Sequence, residues 1–257
     1  MKKHFPKNGF TLIELIIVIT VVTVLISLVV SLNKFYIHSK YQMVAKEYSN
    51  IKNSVDNFKT IFDQLPGDFN RASFHFDNVL CPNGNAPTGC NGNNNNIIDT
   101  YDESYRFWQH LYLSGLINKS FTGVKSINSP FSTDANSYSS KFINNALFFV
   151  GSINASMKFE PSYGNRIYLD KVVASYFSST SGVLSPQKAL AFDNKFDDGK
   201  PRTGIINSET FYDQVNVQNS PYCTELGPLG SESFNTLIND NYNSAIEQTV
   251  CRLIFRF

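Results

Sequence analysis

A single carboxylate inside a long apolar run constrains this chain more than any other feature. From Phe10 to Leu32 the sequence reads FTLIELIIVITVVTVLISLVVSL, and Glu14 is its only ionisable residue. The run is about 23 residues long, and roughly 20 residues at about 1.5 Å each span the hydrocarbon core of a bilayer. A carboxylate at the middle of a membrane helix costs roughly 2.5–3.5 kcal/mol on insertion scales, so an intramembrane Glu points to function. Gly9 stands immediately before the run, and Lys2, Lys3 and Lys7 lie ahead of it. A cut after Gly9 would make Glu14 the fifth residue, one helical turn from a new ammonium on Phe10.

Two plainer readings compete. A secretory signal peptide has an apolar core of about 7–15 residues followed by a small-residue cleavage site. This run is longer, and no Ala-x-Ala follows it. A simple signal anchor would also keep the basic leader in the cytoplasm, but it has no use for Glu14 or for Gly9. With its short basic leader, Gly9-Phe10 and then TLIEL, the N-terminus resembles type IV pilins and the pseudopilins of type II secretion. Asn8 departs from the Lys or Arg more usual before that Gly. The resemblance implies that a prepilin peptidase removes residues 1–9 and methylates the Phe10 amine. It also implies that Glu14 directs assembly with other pilin or pseudopilin subunits on an inner-membrane platform.

Composition fits an anchored, exported polypeptide. With 42% hydrophobic and 17% charged residues in 257, one substantial domain remains after the anchor is set aside. Loss of the three leader lysines would take the formal net charge from +1 to −2. The absence of a basic patch or acidic tail gives no reason to expect a nucleic-acid partner.

The helical pattern continues beyond the apolar run. Ile37, Tyr41, Val44, Tyr48, Ile51, Val55, Phe58 and Phe62 recur at alternating steps of four and three, a helical stripe. No Pro or Gly interrupts Phe10 to Leu65, and Leu65-Pro66-Gly67 supplies a stop. The pattern predicts one helix of about 56 residues, roughly 80 Å at about 1.5 Å per residue. Residues 10–32 form its membrane and assembly half, and residues 33–65 its amphipathic half. A coiled-coil stalk would show a similar stripe, but the aromatic-rich segment that follows can cover it. Many pilins carry a Pro in the apolar half, and this chain has none there.

Residues 66–257 read as one exported globular domain. Arg106 to Leu113 has acids before it and Gly115 after it, as a short helix would. Ser185-Pro186 can start a helix running to about Phe196. Ala146 to Ile153 and Ile167 to Ala174 have strand composition. Val250 to Phe257 alternates as a strand with one buried face. A long helix, then loops, then strands predicts an α+β fold, with the helix laid on an antiparallel sheet. Several later segments extend the family resemblance over most of the chain. They are Leu65-Pro66-Gly67-Asp68-Phe69, the stretch from Cys90 to Asp99, the helix around Trp108 and His110, and Asp193 to Pro201.

Cys81, Cys90, Cys223 and Cys251 all fall in the exported segment, where an even count favours disulfides. Three pairings are open, and proximity favours Cys81 with Cys90 and Cys223 with Cys251. The second would tether the C-terminal segment, as a comparable disulfide does in many pilins. No paired C-x-x-C supports a zinc site. The Asn-rich loop Asn91–Asp99 and the turn with Asp193, Asp197 and Asp198 gather oxygen ligands around Gly, as calcium requires. Neither has EF-hand spacing, and Asp and Asn also favour turns for their own reasons, so no metal or other cofactor is expected.

Material for an enzyme is thin. Only His4, His38, His75 and His110 are present, without a nucleophile elbow or phosphate loop. His110 reads as a partly buried helix residue and Trp108 as core. The expected function is therefore a filament subunit, either a type IV pilin or a type II secretion pseudopilin. Before assembly it would sit as a single-pass protein of the bacterial inner membrane, N-terminus in the cytoplasm. Afterwards it would belong to a periplasmic or surface filament. An anchored adhesin that never polymerises and an exported enzyme are the readings from other classes.

Overall fold

A computed structural model describes residues 11–76, 79–85, 89–125, 134–152, 164–171, 182–210, 222–226 and 239–257, with backbone alone at 30, 32–35, 37 and 38. Gly9 and Phe10 lie outside this range, as do Ile153 and residues 172–174, the ends of two expected strands. The chain divides into two compact units, residues 1–43 and 44–257.

Helix α1 runs from Leu12 to Phe62, 51 residues without a break. Within the first unit every residue from Leu12 to Val29 is exposed, as befits a segment that is apolar on all sides. Within the second unit α1 is amphipathic. Val44, Ile51, Val55 and Phe58 are buried, and Tyr48 and Phe62 are partly so. The helix stops three residues before the expected Leu65. Asp63 takes a left-handed φ of 55° while its N–H donates to the Lys59 carbonyl at 2.8 Å, so the chain turns there. Gly67 then adopts φ 86°, and a Cβ there would collide with the Glu103 carbonyl.

A four-residue helix α2, Ala72–His75, follows. Helix α3 spans Tyr101–Leu113 and begins five residues before the expected Arg106. Thr100 caps it reciprocally with Glu103, a Thr-x-x-Glu signature that the acids at 102 and 103 overshadow in the sequence. Helix α4, Pro186–Phe196, has Pro in its first turn, but the Ser185 hydroxyl makes no capping bond.

Among the described residues, five strands form one antiparallel sheet: β1 (Tyr138–Ser139), β2 (Ala146–Ser152), β3 (Asn165–Lys171), β4 (Ile206–Glu209) and β5 (Arg252–Arg256). Their order across the sheet is β1-β2-β3-β5-β4. Leu253 faces Leu169 on one side and Ser208 on the other, and Phe255 faces Ile167 and Ile206. This is an α+β arrangement, as the sequence implies.

Strand β5 departs from the single buried face expected of it. Leu253, Ile254 and Phe255 are all fully buried, and Arg252 nearly so. Phe255 packs against Tyr48 of α1 and Phe192 of α4, while Ile254, pointing to the opposite face, lies between Tyr168 and Asn207 of the flanking strands. Arg252 is accommodated by stacking on the Tyr168 ring at 5.1 Å and by an ion pair with Glu209.

Candidate assembly site and its support

Glu14 sits in the first turn of α1 and is answered by Thr11. Its Oε2 accepts from the Thr11 N–H and the Thr11 hydroxyl, each at 2.8 Å. The Glu14 N–H in turn donates to Thr11 Oγ1 at 3.3 Å, while the Thr11 carbonyl accepts from Leu15 N–H at 3.2 Å. Together these make a capping box, in which residue N3 and the N-cap satisfy each other's orphan donors.

The helix beyond is suited to a bilayer or to other helices. Leu12–Val29 is an 18-residue window of mean hydropathy 2.9, with none of it buried. The hydroxyls of Thr20, Thr23 and Ser31 donate to the carbonyls of Ile17, Thr20 and Ser27 at 2.8, 2.8 and 2.9 Å. Such bonds keep these polar groups satisfied without water.

In the second unit, three polar side chains of α1 fasten it to loops and sheet. Glu47 is buried and accepts from Ser140 Oγ at 2.7 Å and Lys141 N–H at 2.8 Å. Burial pushes its carboxyl up, opposed by the Lys141 N–H and the Ser140 hydroxyl. Tyr48 stacks on Phe255 at 4.4 Å and donates to the Arg256 carbonyl at 2.5 Å. Ser54 donates to the Leu116 carbonyl at 3.2 Å.

Disulfides join Cys81 to Cys90 and Cys223 to Cys251. The first closes the Pro, Gly and Asn loop, and the second anchors the residue that leads into β5. Opening the second with Cys223→Ser and Cys251→Ser should lower stability by about 2–4 kcal/mol, as typical disulfides do. Urea unfolding of oxidised protein and the double variant would measure it, and equal midpoints would contradict it.

The two calcium candidates resolve differently from each other. In the Asn-rich loop, backbone N–H groups rather than carbonyls point inward. Asn95 and Asn96 donate to the two Asp68 oxygens at 3.1 and 2.7 Å, and Asn94 donates to the Asp68 carbonyl at 3.1 Å. Asp68 is fully buried, and its oxygens are already taken by these loop N–H groups while burial pushes its carboxyl up. In the other turn, carboxylate oxygens of Asp193, Asp197 and Asp198 lie within 4.8 Å of one another. Each is already engaged by its own chain. Asp193 accepts from the Tyr242 hydroxyl at 2.7 Å and Gly199 N–H at 3.3 Å. Asp197 accepts from Ile205 and Ile206 N–H at 2.5 and 2.7 Å, and Asp198 from Lys200 N–H at 2.9 Å and the Thr203 hydroxyl. Burial first, then the neighbouring Asp198 and Asp197 charges, lift Asp193 to about 7.

His110 is fully buried, not partly so. Every residue from Tyr105 to Leu111 is buried, so α3 is enclosed on all sides around His110. The imidazole Nδ1 accepts from Gly67 N–H at 2.9 Å, and Nε2 meets the Cys90 carbonyl at 2.9 Å. The ring therefore ties α3 to the Leu65–Phe69 turn and to the disulfide loop. Burial pushes it down to about 3, with the Cys90 carbonyl opposing and Arg106 adding to the fall. Trp108 is fully buried in the core as expected. The supporting roles that sequence reasoning did not assign are those of Thr11, Glu47 and Asp68. Only Thr11 carries a local signal: Thr11-Leu12-Ile13-Glu14 has the same Thr-x-x-Glu spacing as Thr100 to Glu103.

No curated protein and no solved structure matches the chain. Residues 5–30 match the family model described as the prokaryotic N-terminal methylation motif. The chain therefore carries the prepilin-type signal of type IV pilins and pseudopilins.

Proposed function

We propose that this chain is a structural subunit of a type IV pilus-like filament, processed after Gly9 and assembled through its N-terminal helix. The observation that carries the reading is the methylation motif over residues 5–30, set on a helix whose segment Leu12–Val29 is exposed and contains one carboxylate. Such a surface requires lipid before assembly and other apolar helices after it. In the filament, Glu14 pairs with the Phe10 ammonium of a neighbouring subunit. Residues 1–9 serve as leader, 10–32 as the membrane and assembly segment, 33–65 as the amphipathic half of the helix, and 66–257 as the displayed domain. A domain of this size leans toward a minor or specialised subunit. The work asked of it is cohesion and display rather than catalysis.

A prepilin peptidase should cut Gly9-Phe10 and methylate the new amine. Intact mass of the membrane or filament fraction should give a chain beginning at methyl-Phe10. Retention of Met1 on exported protein would defeat the reading. Neighbouring genes separate the two filament systems: a retraction ATPase indicates pili, and a full secretion operon indicates a pseudopilin.

A further inference from the structure

We infer that Thr11 is the positioning residue for Glu14, clamping one carboxylate oxygen so that the other stands open to an incoming subunit's ammonium. The inference rests on the filament reading above. Both Thr11 donors converge on Oε2 at 2.8 Å, and among the described residues no donor reaches Oε1. The hydroxyl is itself oriented, because Thr11 Oγ1 accepts from the Glu14 N–H at 3.3 Å while its proton goes to the carboxylate. The next hydroxyl along the helix, Thr20, is engaged by the Ile17 carbonyl at 2.8 Å. Glu14 thus has one side-chain donor among the described residues, and it comes from its own turn.

Two consequences follow from the chemistry. A carboxylate in an apolar surrounding is strongly disfavoured without donors, and two N–H or O–H bonds lessen that penalty before any partner arrives. The glutamate also loses its rotamer freedom when the helix forms rather than when the subunit docks, which is preorganisation in the usual sense. Docking then adds a partner at Oε1 without breaking the bonds at Oε2.

The test compares Thr11→Val, Thr11→Ser, Glu14→Leu and Thr11→Val with Glu14→Leu together. Each is made in the full chain with its leader, beside its own peptidase and assembly machinery. Intact mass reports processing, and the sheared filament fraction reports incorporation. Thr11→Val keeps the β-branched shape and removes the hydroxyl, so processing should be complete and incorporation about tenfold lower. Thr11→Ser restores the hydroxyl and should stay within about twofold of wild type. The double variant should incorporate no less than Glu14→Leu alone, because Thr11 acts through Glu14. Wild-type incorporation of Thr11→Val overturns the inference, as does a Thr11→Ser level as low as the Val level. Loss of cleavage in Thr11→Val also overturns it, assigning Thr11 to peptidase recognition instead. Wild-type incorporation of Glu14→Leu is a separate result, and it overturns the filament reading itself.

Discussion

Replacing Glu14 with Leu is expected to leave membrane insertion and cleavage after Gly9 intact, and to remove the processed subunit from filaments. Insertion should not suffer, since the substitution deletes the one ionisable group of the apolar run. On the proposed filament reading, assembly should suffer because each processed subunit would bring a positive amine into an apolar bundle, and methylation does not neutralise it. Where the dielectric is low, that charge needs a close opposite partner. Breaking a buried pair leaves an uncompensated charge, which costs about 3–5 kcal/mol, whereas the intact pair adds little net stability over an apolar contact. On the proposed filament reading, the pair would select axial register, and packing of residues 12–32 would supply most of the cohesion. Shearing the cells and probing the filament fraction measures the effect. An abundance equal to wild type would remove the central argument.

Asp193 and His110 should give the protein opposing pH slopes that two substitutions separate. The Asp193 carboxyl sits at about 7 in the folded chain, above its ordinary value of 3.8. The folded state therefore holds a proton that the unfolded state releases, and stability falls as pH rises from about 4 to 7. His110 sits at about 3, below its ordinary 6.5. Here the unfolded state takes the proton, and stability falls as pH drops from about 6.5 toward 3. Each slope is at most about 1.4 kcal/mol per pH unit, so each group spans roughly 4 kcal/mol over its window. Against wild type, Asp193→Asn should gain roughly that much between pH 4 and 8. His110→Gln should gain a comparable amount between pH 7 and 3, whatever constant cost the lost Gly67 and Cys90 contacts impose. Denaturant titrations of processed protein in detergent, with chelator present, give both difference curves. A flat curve for either variant would show that its group titrates normally in the folded chain.

The parts of this fold that were legible in the sequence are those whose signals are local. Helix α1 announces itself by its uninterrupted period, α4 by Pro at its start, and β2 and β3 by β-branched and aromatic runs. The N-terminal signal is local as well, since Gly9, Phe10 and Glu14 lie within six positions. What stayed hidden depends on distant partners. Strand β1 has two residues and no period to detect. Strand β4, Ile206-Asn207-Ser208-Glu209, has one apolar residue, yet Asn207 and Ser208 are fully buried. Its existence follows from hydrogen bonds to β5, which no window of sequence around residue 207 contains. Glu47 breaks the polarity pattern of its helix face because Ser140 and Lys141, far along the chain, come back to meet it. The capping residue Thr11 is the exception. Its signal is local, but an apolar run this long draws the eye away from the turn that starts it.

The place of β5 in the sheet has a consequence for when the molecule becomes a molecule. Strands β3 and β4 do not pair with each other; β5, which follows both in sequence, lies between them. A nascent chain emerging N-terminus first can complete α1, pair β2 with β3, and still hold two open strand edges. Only when residues 252–256 arrive does the insertion close both edges, and the Cys223–Cys251 bond then fastens the residue just ahead of them. A chain ended early would keep those edges exposed, a template for aggregation and an easy mark for proteases. The architecture thus builds a completeness check into the order of synthesis, so that compactness itself certifies a subunit read through to β5.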